Sequence, residues 1–362
     1  MRVACSNQHR QGIALILVLI SVVVLAVLAA GFAYSMRVEV KLARNASSER
    51  ELEWLGRSGV ELARYVLGQQ MLISAEPYDS LNQKWAGGPG GLATSNSPLA
   101  DIQLENVEIG GGRISIKIVD CERKMNINLA AEPMLQQAMT LAGLDAAGAQ
   151  TVVACIQDWI DPDDAAHVSG AEKEFYEGGS PSYVPKNGPI DDLSEMLLIK
   201  WVTPDLLWGA ANTNRTLAAF QANSADGSHL APREMPQFNV GLADLFVPVS
   251  AGRINVNTAS PSVLQMLPFM DENMVQEIIR LRVGLDGVEG TEDDTPLRNV
   301  GELVNVIPDR QMVQSLMQFC EVRSRTFEVT IETEINTYKR RFVALLARTN
   351  PRDIQILSFS SR

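Results

Sequence analysis

Residues 11–36 read QGIALILVLISVVVLAVLAAGFAYSM, and this stretch decides the architecture. Before it lies a short basic leader with Arg2, His9 and Arg10, ending at Gly12. From Ile13 to Met36 no residue is charged, and Ile13–Phe32 is apolar apart from Ser21 and Gly31. About 20 such residues span a bilayer as a helix. The basic flank is N-terminal, which predicts that this end faces the cytoplasm. A secretory signal has a shorter apolar core, roughly 7–15 residues, and is cut after it. Here the small residue suited to a cut comes first. Cleavage after Gly12 would make Ile13 the new N-terminus and keep the span; the alternative is an uncleaved single-span anchor.

Charge returns at Arg37, Glu39, Lys41 and Arg44, and no proline appears before Pro77. Val38, Val40, Leu42, Leu52, Leu55, Val60, Leu62, Val66 and Leu67 recur among charged residues. The pattern predicts one helix over residues 13–68, about 84 Å long. Its second half would lay an apolar face on a folded head. Ala26, Ala29, Ala30 and Gly31 would let neighbouring spans approach closely.

Residues 74–112 are loop-rich, with glycine runs at 87–91 and 110–112. Ile114, Ile116 and Ile118 alternate with polar residues, as in a half-buried strand. Phe327–Glu332, Arg340–Leu346 and Ile354–Phe359 read the same way, with a turn near Asn336. Residues 120–325 lie between these strands, show mainly helical pattern, and are far too long for a connection. We expect a domain inserted into an antiparallel sheet.

The 362-residue chain has room for two or three domains and carries a net charge of −12. Loss of the leader would take Arg2 and Arg10 and leave −14. Such a body disfavours nucleic acid and suits divalent cations or basic protein surfaces. Cys5 lies in the leader. Cys121, Cys155 and Cys320 allow one disulfide or three buried thiols, and their spacing offers no zinc motif. The histidines (His9, His167, His229) are scattered, and no nucleophile elbow or phosphate loop is present, so an enzyme is not expected.

The insert repeats itself. Asn126-Ile127-Asn128-Leu129-Ala130 precedes two helical stretches and Asp158. Asn255-Val256-Asn257-Thr258-Ala259 precedes two more and Asp286. Residues 254–282 resemble a helix-hairpin-helix module. Its hairpin, Leu267-Pro268-Phe269-Met270-Asp271, lacks the glycines that bring backbone amides to phosphate, and Ala142-Gly143-Leu144-Asp145 lacks the pair. The asparagines read as turn formers and helix caps.

Each unit ends in an acidic loop. Asp158, Asp161, Asp163 and Asp164 are followed by Glu172 and Glu174 around Gly170. The second loop holds Asp286, Glu289, Glu292, Asp293 and Asp294 with Gly287 and Gly290. Clustered carboxylates repel unless solvated or bridged by a cation, and calcium takes six to eight oxygens from flexible loops. The spacing is not that of an EF-hand. A solvated acidic turn is the other reading, and His167 is a further potential ligand.

The glycine-ended leader and apolar run resemble the type IV pilin-like proteins, whose peptidase cuts after the glycine and methylates the new amino group. Most of that family have glutamate at the fifth mature position; here it is Leu17. That departure, the large insert, and the motifs Asp158-Trp159-Ile160-Asp161, Gly170-Ala171-Glu172 with Tyr176, and Asn187-Gly188-Pro189 before Leu193-Ser194-Glu195 resemble the K family of type II secretion minor pseudopilins. The resemblance implies an α+β fold: a long N-terminal transmembrane helix on a small antiparallel pilin-like sheet, with a large, mostly helical insert. It divides the chain into leader 1–12, membrane segment 13–36, periplasmic helix 37–72, head 73–119, insert 120–325 and closing strands 326–362. It further implies bound calcium, a place at the pseudopilus tip, and a role in starting assembly. The implied partners are minor pseudopilins I, J and H, the major pseudopilin, the prepilin peptidase and the inner membrane. A minor pilin of a type IV pilus and a membrane-anchored DNA-uptake protein are the alternatives.

Overall fold

The apolar run and the amphipathic stretch form one unbroken helix, α1 (His9–Leu72), about 96 Å long. The computed structural model describes residues 9–91, 96–209 and 240–361, without the side chains of 9–13 and 44. Cys5, His229 and the side chains at the expected Gly12–Ile13 cut lie outside the described residues. From Ala14 onward α1 is long and apolar enough to cross a membrane, and residues 14–43 are all exposed.

From Leu52 the helix acquires a partner. Leu52, Leu55, Val60, Ala63, Val66 and Leu67 are buried against Ile114, Ile116, Ile118, Phe327, Val329, Ile331, Phe342, Ala344 and Leu346. These come from a five-stranded antiparallel sheet of order β1-β2-β7-β8-β9. Its strands are β1 (Val107–Ile109), β2 (Gly112–Asp120), β7 (Thr326–Ile335), β8 (Tyr338–Asn350) and β9 (Asp353–Ser361). The alternation read from the sequence marks the sheet face under the helix: in β2 and β7 every second residue is buried. Contact is close enough to require glycine. A Cβ on Gly56 would lie 2.6 Å from the Phe342 ring, and one on Gly59 2.7 Å from Ile331. Strand β1, only three residues long, carries no periodicity that a sequence reading could detect.

β2 and β7 are hydrogen-bonded neighbours, from Arg113 opposite Glu334 to Asp120 opposite Phe327. All of residues 121–325 leave and return between them. That stretch has its own core, with Met134, Met139, Val152, Ile156, Trp159, Leu242, Leu264 and Val275 buried in one cluster. Its elements are β3 (Met125–Asn126), α2 (Glu132–Leu141), α3 (Ala146–Ile160), α4 (Lys173–Glu177), α5 (Pro204–Trp208), α6 (Leu242–Leu245), β4 (Phe246–Val247), β5 (Ile254–Asn255), α7 (Pro261–Gln265), α8 (Glu272–Arg282), α9 (Arg310–Leu316) and β6 (Cys320–Glu321). Both repeat units contribute to this single core, as expected of repeats too small to bury their apolar faces alone.

A buried polar junction fixes the insert to the sheet. Asp79, after α1, is 1% exposed and pairs with Arg348 of β8, 2% exposed. Asp79 Oδ2 also accepts the Ser324 N–H at 2.8 Å. Arg348 donates to the Ser324 carbonyl at 2.7 Å and lies 4.7 Å over the Phe327 ring. Beside them, Asp120 Oδ2 accepts from Thr258 at 2.6 Å, Ser324 at 2.7 Å and Asn255 at 3.1 Å. Glu122 accepts three backbone N–H groups, of Ala251 (2.8 Å), Arg325 (3.2 Å) and Thr326 (3.0 Å).

Burial, with Glu122 and then Asp79 beside it, pushes the Asp120 carboxyl up to about 8, against hydrogen bonds from Thr258 and Ser324 that pull it down. The folded chain therefore binds a proton that the unfolded chain releases near pH 4. This contribution to stability is complete below about pH 4 and is lost as pH rises towards 8. Urea unfolding from pH 5 to 8 should show that loss, at most about 1.4 kcal/mol per pH unit. Asp120→Asn, neutral throughout, should flatten the slope whatever its own stability.

The three described cysteines do not pair. Cys121, Cys155 and Cys320 are free and buried. Burial pushes the Cys155 thiol up to about 11 and Cys320 to about 12, so both behave as small apolar groups.

Candidate metal centre and the clamps that frame it

The two NxN motifs fold alike. β3 pairs in parallel with β4, and β5 with β6. In the first unit Asn126 Oδ1 accepts the Asn128 N–H at 2.9 Å; in the second, Asn255 Oδ1 accepts the Asn257 N–H at 3.0 Å. The second asparagine of each then grips backbone far along the chain. Asn128 donates to the Ile190 carbonyl at 3.0 Å and accepts the Ile190 N–H at 2.7 Å. Asn257 makes the same two bonds with Leu297, both at 2.9 Å. Ile190 and Leu297 are the points where the chain returns from the two acidic loops. The turn-forming reading holds for Asn126 and Asn255. Asn128 and Asn257 are long-range clamps rather than helix caps; Asp145 and Asp271 cap α3 and α8. Asn257→Ala would leave the buried Leu297 amide and carbonyl unpaired. It should cost about 2–4 kcal/mol in a chemical melt, from two groups at 1–3 kcal/mol each with partial relaxation.

The first acidic loop gathers its carboxylates. Asp158, at the end of α3, is 0% exposed and accepts the N–H groups of His167 (3.0 Å) and Ala171 (2.6 Å). His167 Nδ1 also bonds Asp158 Oδ1. One atom each of Asp158, Asp161 and His167 lie within 4.8 Å of one another. Gly170 is required beside them, since a Cβ there would fall 1.9 Å from Asp158 Oδ2. The family-like motifs build the frame: Trp159 Nε1 donates to Glu195 at 2.9 Å, and the Gly188 N–H to the Trp159 carbonyl at 3.2 Å. Tyr176 packs edge-on to Trp159, with centroids 5.4 Å apart.

Within this frame several oxygens have no partner. Asp161 Oδ1, both oxygens of Glu172 and Asn187 Oδ1 are buried without a hydrogen bond. Burial first, then neighbouring carboxylates, raises the carboxyls of Asp161 and Glu172. His167 is raised chiefly by its hydrogen bond to Asp158. A set of unpartnered, mutually repelling oxygens is what a hard cation satisfies. Asp163 and Asp164 are exposed at its rim, where Asp163 accepts the Ala165 N–H at 2.9 Å and Asp164 accepts from Asn187 at 3.1 Å. Asn187 carried no ligand expectation from the sequence, because an amide beside Gly188-Pro189 reads as a turn residue.

The second loop is arranged otherwise. Asp293 accepts the N–H groups of Leu285 (2.7 Å) and Asp286 (3.1 Å), Asp294 that of Gly290 (2.8 Å), and Asp286 that of Val288 (2.8 Å). Glu289 pairs with buried Arg282, which also holds the Val256 and Ala259 carbonyls. Glu292 is exposed. Hydrogen bonds from Thr291 and backbone lower the Asp293 carboxyl. Apart from exposed Glu292, these carboxylates are committed to shaping the loop, whereas Asp161 Oδ1 and both Glu172 oxygens of the first are not.

Comparison with known proteins agrees with this architecture. The family model for type II secretion system protein K, first domain, matches residues 112–210. The type II secretion system protein K of Pseudomonas aeruginosa is 23% identical over 97% of this chain and 93% of its own length. That of Klebsiella pneumoniae is 26% identical over 53% of this chain and 58% of its own. A chain of the GspK–GspI–GspJ complex from enterotoxigenic Escherichia coli superposes with a TM-score of 0.61 at 16% identity, covering 88% of this chain and 99% of that one. Span, sheet, insert and matched residues converge on one likeness: the chain is similar to the K family of type II secretion system minor pseudopilins.

Proposed function

We propose that this pseudopilin caps the periplasmic filament of a type II secretion system and starts its assembly. The observation that carries the reading is the placement of residues 121–325 between two adjacent strands. A complete second core there adds bulk that a closely packed helical shaft has little room for, and a terminal position has no subunit above it. Leu17 supports the same place. A leucine cannot form the charge pair that a glutamate makes with a neighbouring N-terminus, so this subunit needs no neighbour ahead of it.

In this reading α1 is anchored in the inner membrane with the body in the periplasm, after prepilin peptidase has cut between Gly12 and Ile13. Minor pseudopilins I and J are its first partners; the resemblance in fold to a chain of a GspK–GspI–GspJ complex supports them. H and the major pseudopilin follow below. Calcium fills the first acidic loop, held by Asp158, Asp161, Glu172 and Asn187 with Asp163 and Asp164 at the rim. Its role is to neutralise that cluster and hold the loop in one shape. Calcium suits it better than magnesium because the candidate oxygens are many, and calcium takes six to eight of them. Asp286, Glu289, Glu292, Asp293 and Asp294 remain a secondary candidate.

Co-purification of full-length chain with I and J from detergent extracts tests the cap. A stable ternary complex is expected, together with loss of pseudopilus assembly in a deletion strain. Assembly at normal number and length without this chain would end the initiation reading. Mass spectrometry of the mature N-terminus should find methylated Ile13, whereas an intact Met1 would rule out processing.

A further inference from the structure

A cluster of opposite sign stands apart from the acidic loops. In a chain of net charge −12, Arg253, Arg323 and Arg325 line one pocket of about 200 Å³ with Glu122, Glu321 and Ala251. Both carboxylates are already engaged. Glu122 is 1% exposed and spends its oxygens on the three backbone N–H groups named above. Glu321 pairs with Arg253 at 3.2 Å. No hydrogen bond or ion pair joins the Arg323 or Arg325 guanidinium to another described residue, and Arg323 Nε is buried without an acceptor. A buried donor left unsatisfied is costly, so the pocket calls for an oxygen ligand.

We propose that this pocket binds the carboxylate of an acidic peptide segment. Two guanidinium groups with free donors suit a two-oxygen anion, since the planar fork of arginine matches a carboxylate edge to edge. The pocket is smaller than the roughly 300 Å³ at which small-molecule sites begin, yet roomy for a glutamate head and stem. Its floor is fixed: Glu122 pins the Arg325 backbone, and Arg323 and Arg325 flank Ser324, which the Asp79–Arg348 junction holds. Side chains carried on so constrained a segment are positioned before a ligand arrives, which reduces the ordering cost of binding. The inference does not depend on tip placement or on calcium.

The test is fluorescence anisotropy of detergent-solubilised full-length chain with fluorescein-labelled hexaglutamate, and with labelled hexaglutamine as the neutral control. Hexaglutamate should bind in a salt-sensitive manner and hexaglutamine should not. Arg323→Gln combined with Arg325→Gln should weaken binding at least tenfold without moving the thermal midpoint. The exposed Arg325→Gln alone guards against misfolding and should weaken it severalfold. Arg280→Gln, on α8 and outside the pocket lining, should change nothing. Equal binding by the double variant, or none by the parent, overturns the proposal. Displacement of the peptide by equimolar inorganic phosphate would make the pocket a phosphate site and overturn the carboxylate assignment.

Discussion

Arg348→Met is expected to destabilise the folded body by about 3–5 kcal/mol, the range for removing one partner of a buried ion pair. Both Arg348 and Asp79 are almost wholly buried, so loss of the guanidinium strands a carboxylate with no route to water. The same side chain reaches the Leu67 carbonyl at 3.3 Å and the Ser324 carbonyl at 2.7 Å. It thus ties α1, the loop after it, and the segment leading into β7. Methionine keeps most of the volume against Phe327, which isolates the charge effect from a cavity. Urea unfolding measures the loss. Asp79→Asn in the Arg348→Met background should recover a large part of it. Failure to recover would mean that the arginine acts through its carbonyl contacts instead.

The second large effect concerns calcium. Chelation should lower stability by about 2.7 kcal/mol relative to a calcium concentration one hundred times the dissociation constant, by mass action. Magnesium at the same concentration should restore little. Asp161→Asn with Glu172→Gln tests the assignment from the other side. With calcium absent, the double variant should be more stable than the parent, because two carboxyls, Glu172 buried and Asp161 half-buried, that desolvation and repulsion disfavour as anions become neutral. With calcium present, it should gain nothing. Thermal melts of four samples decide the matter. A parent chain insensitive to chelation, or a double variant still stabilised by calcium, would remove Asp161 and Glu172 from the ligand set.

Much of the fold was legible because its signals are local. An uncharged run with a basic flank needs no tertiary information to be read as a span. Alternation at Ile114, Ile116 and Ile118 marks the buried face of β2 at once, and so does that of Phe327 to Ile331. The repeat was legible as two NxN motifs, since identity at short range survives in sequence. What the asparagines hold was not. Asn128 grips Ile190 and Asn257 grips Leu297, and amide groups bind any backbone that tertiary folding brings to them.

The acidic loops show the same boundary. Carboxylate density nominated both loops alike, because charge count is additive along a sequence. Whether an oxygen is free depends on which N–H groups the loop turns towards it. The second loop turns its own amides onto Asp286, Asp293 and Asp294. The first gathers Asp161 and Glu172 near Asp158 and leaves Asp161 Oδ1 and both Glu172 oxygens without a hydrogen bond.

By itself the sequence determined the apolar run, the long helix, the alternating strands and the excess negative charge. Each follows from the chemistry of residues a turn or a strand apart. Only the tertiary structure decided which carboxylates stand unpartnered, how Arg348 locks the insert to the sheet, and that two arginines face an open pocket. Those depend on desolvation, which is set by whatever the rest of the chain packs around a group.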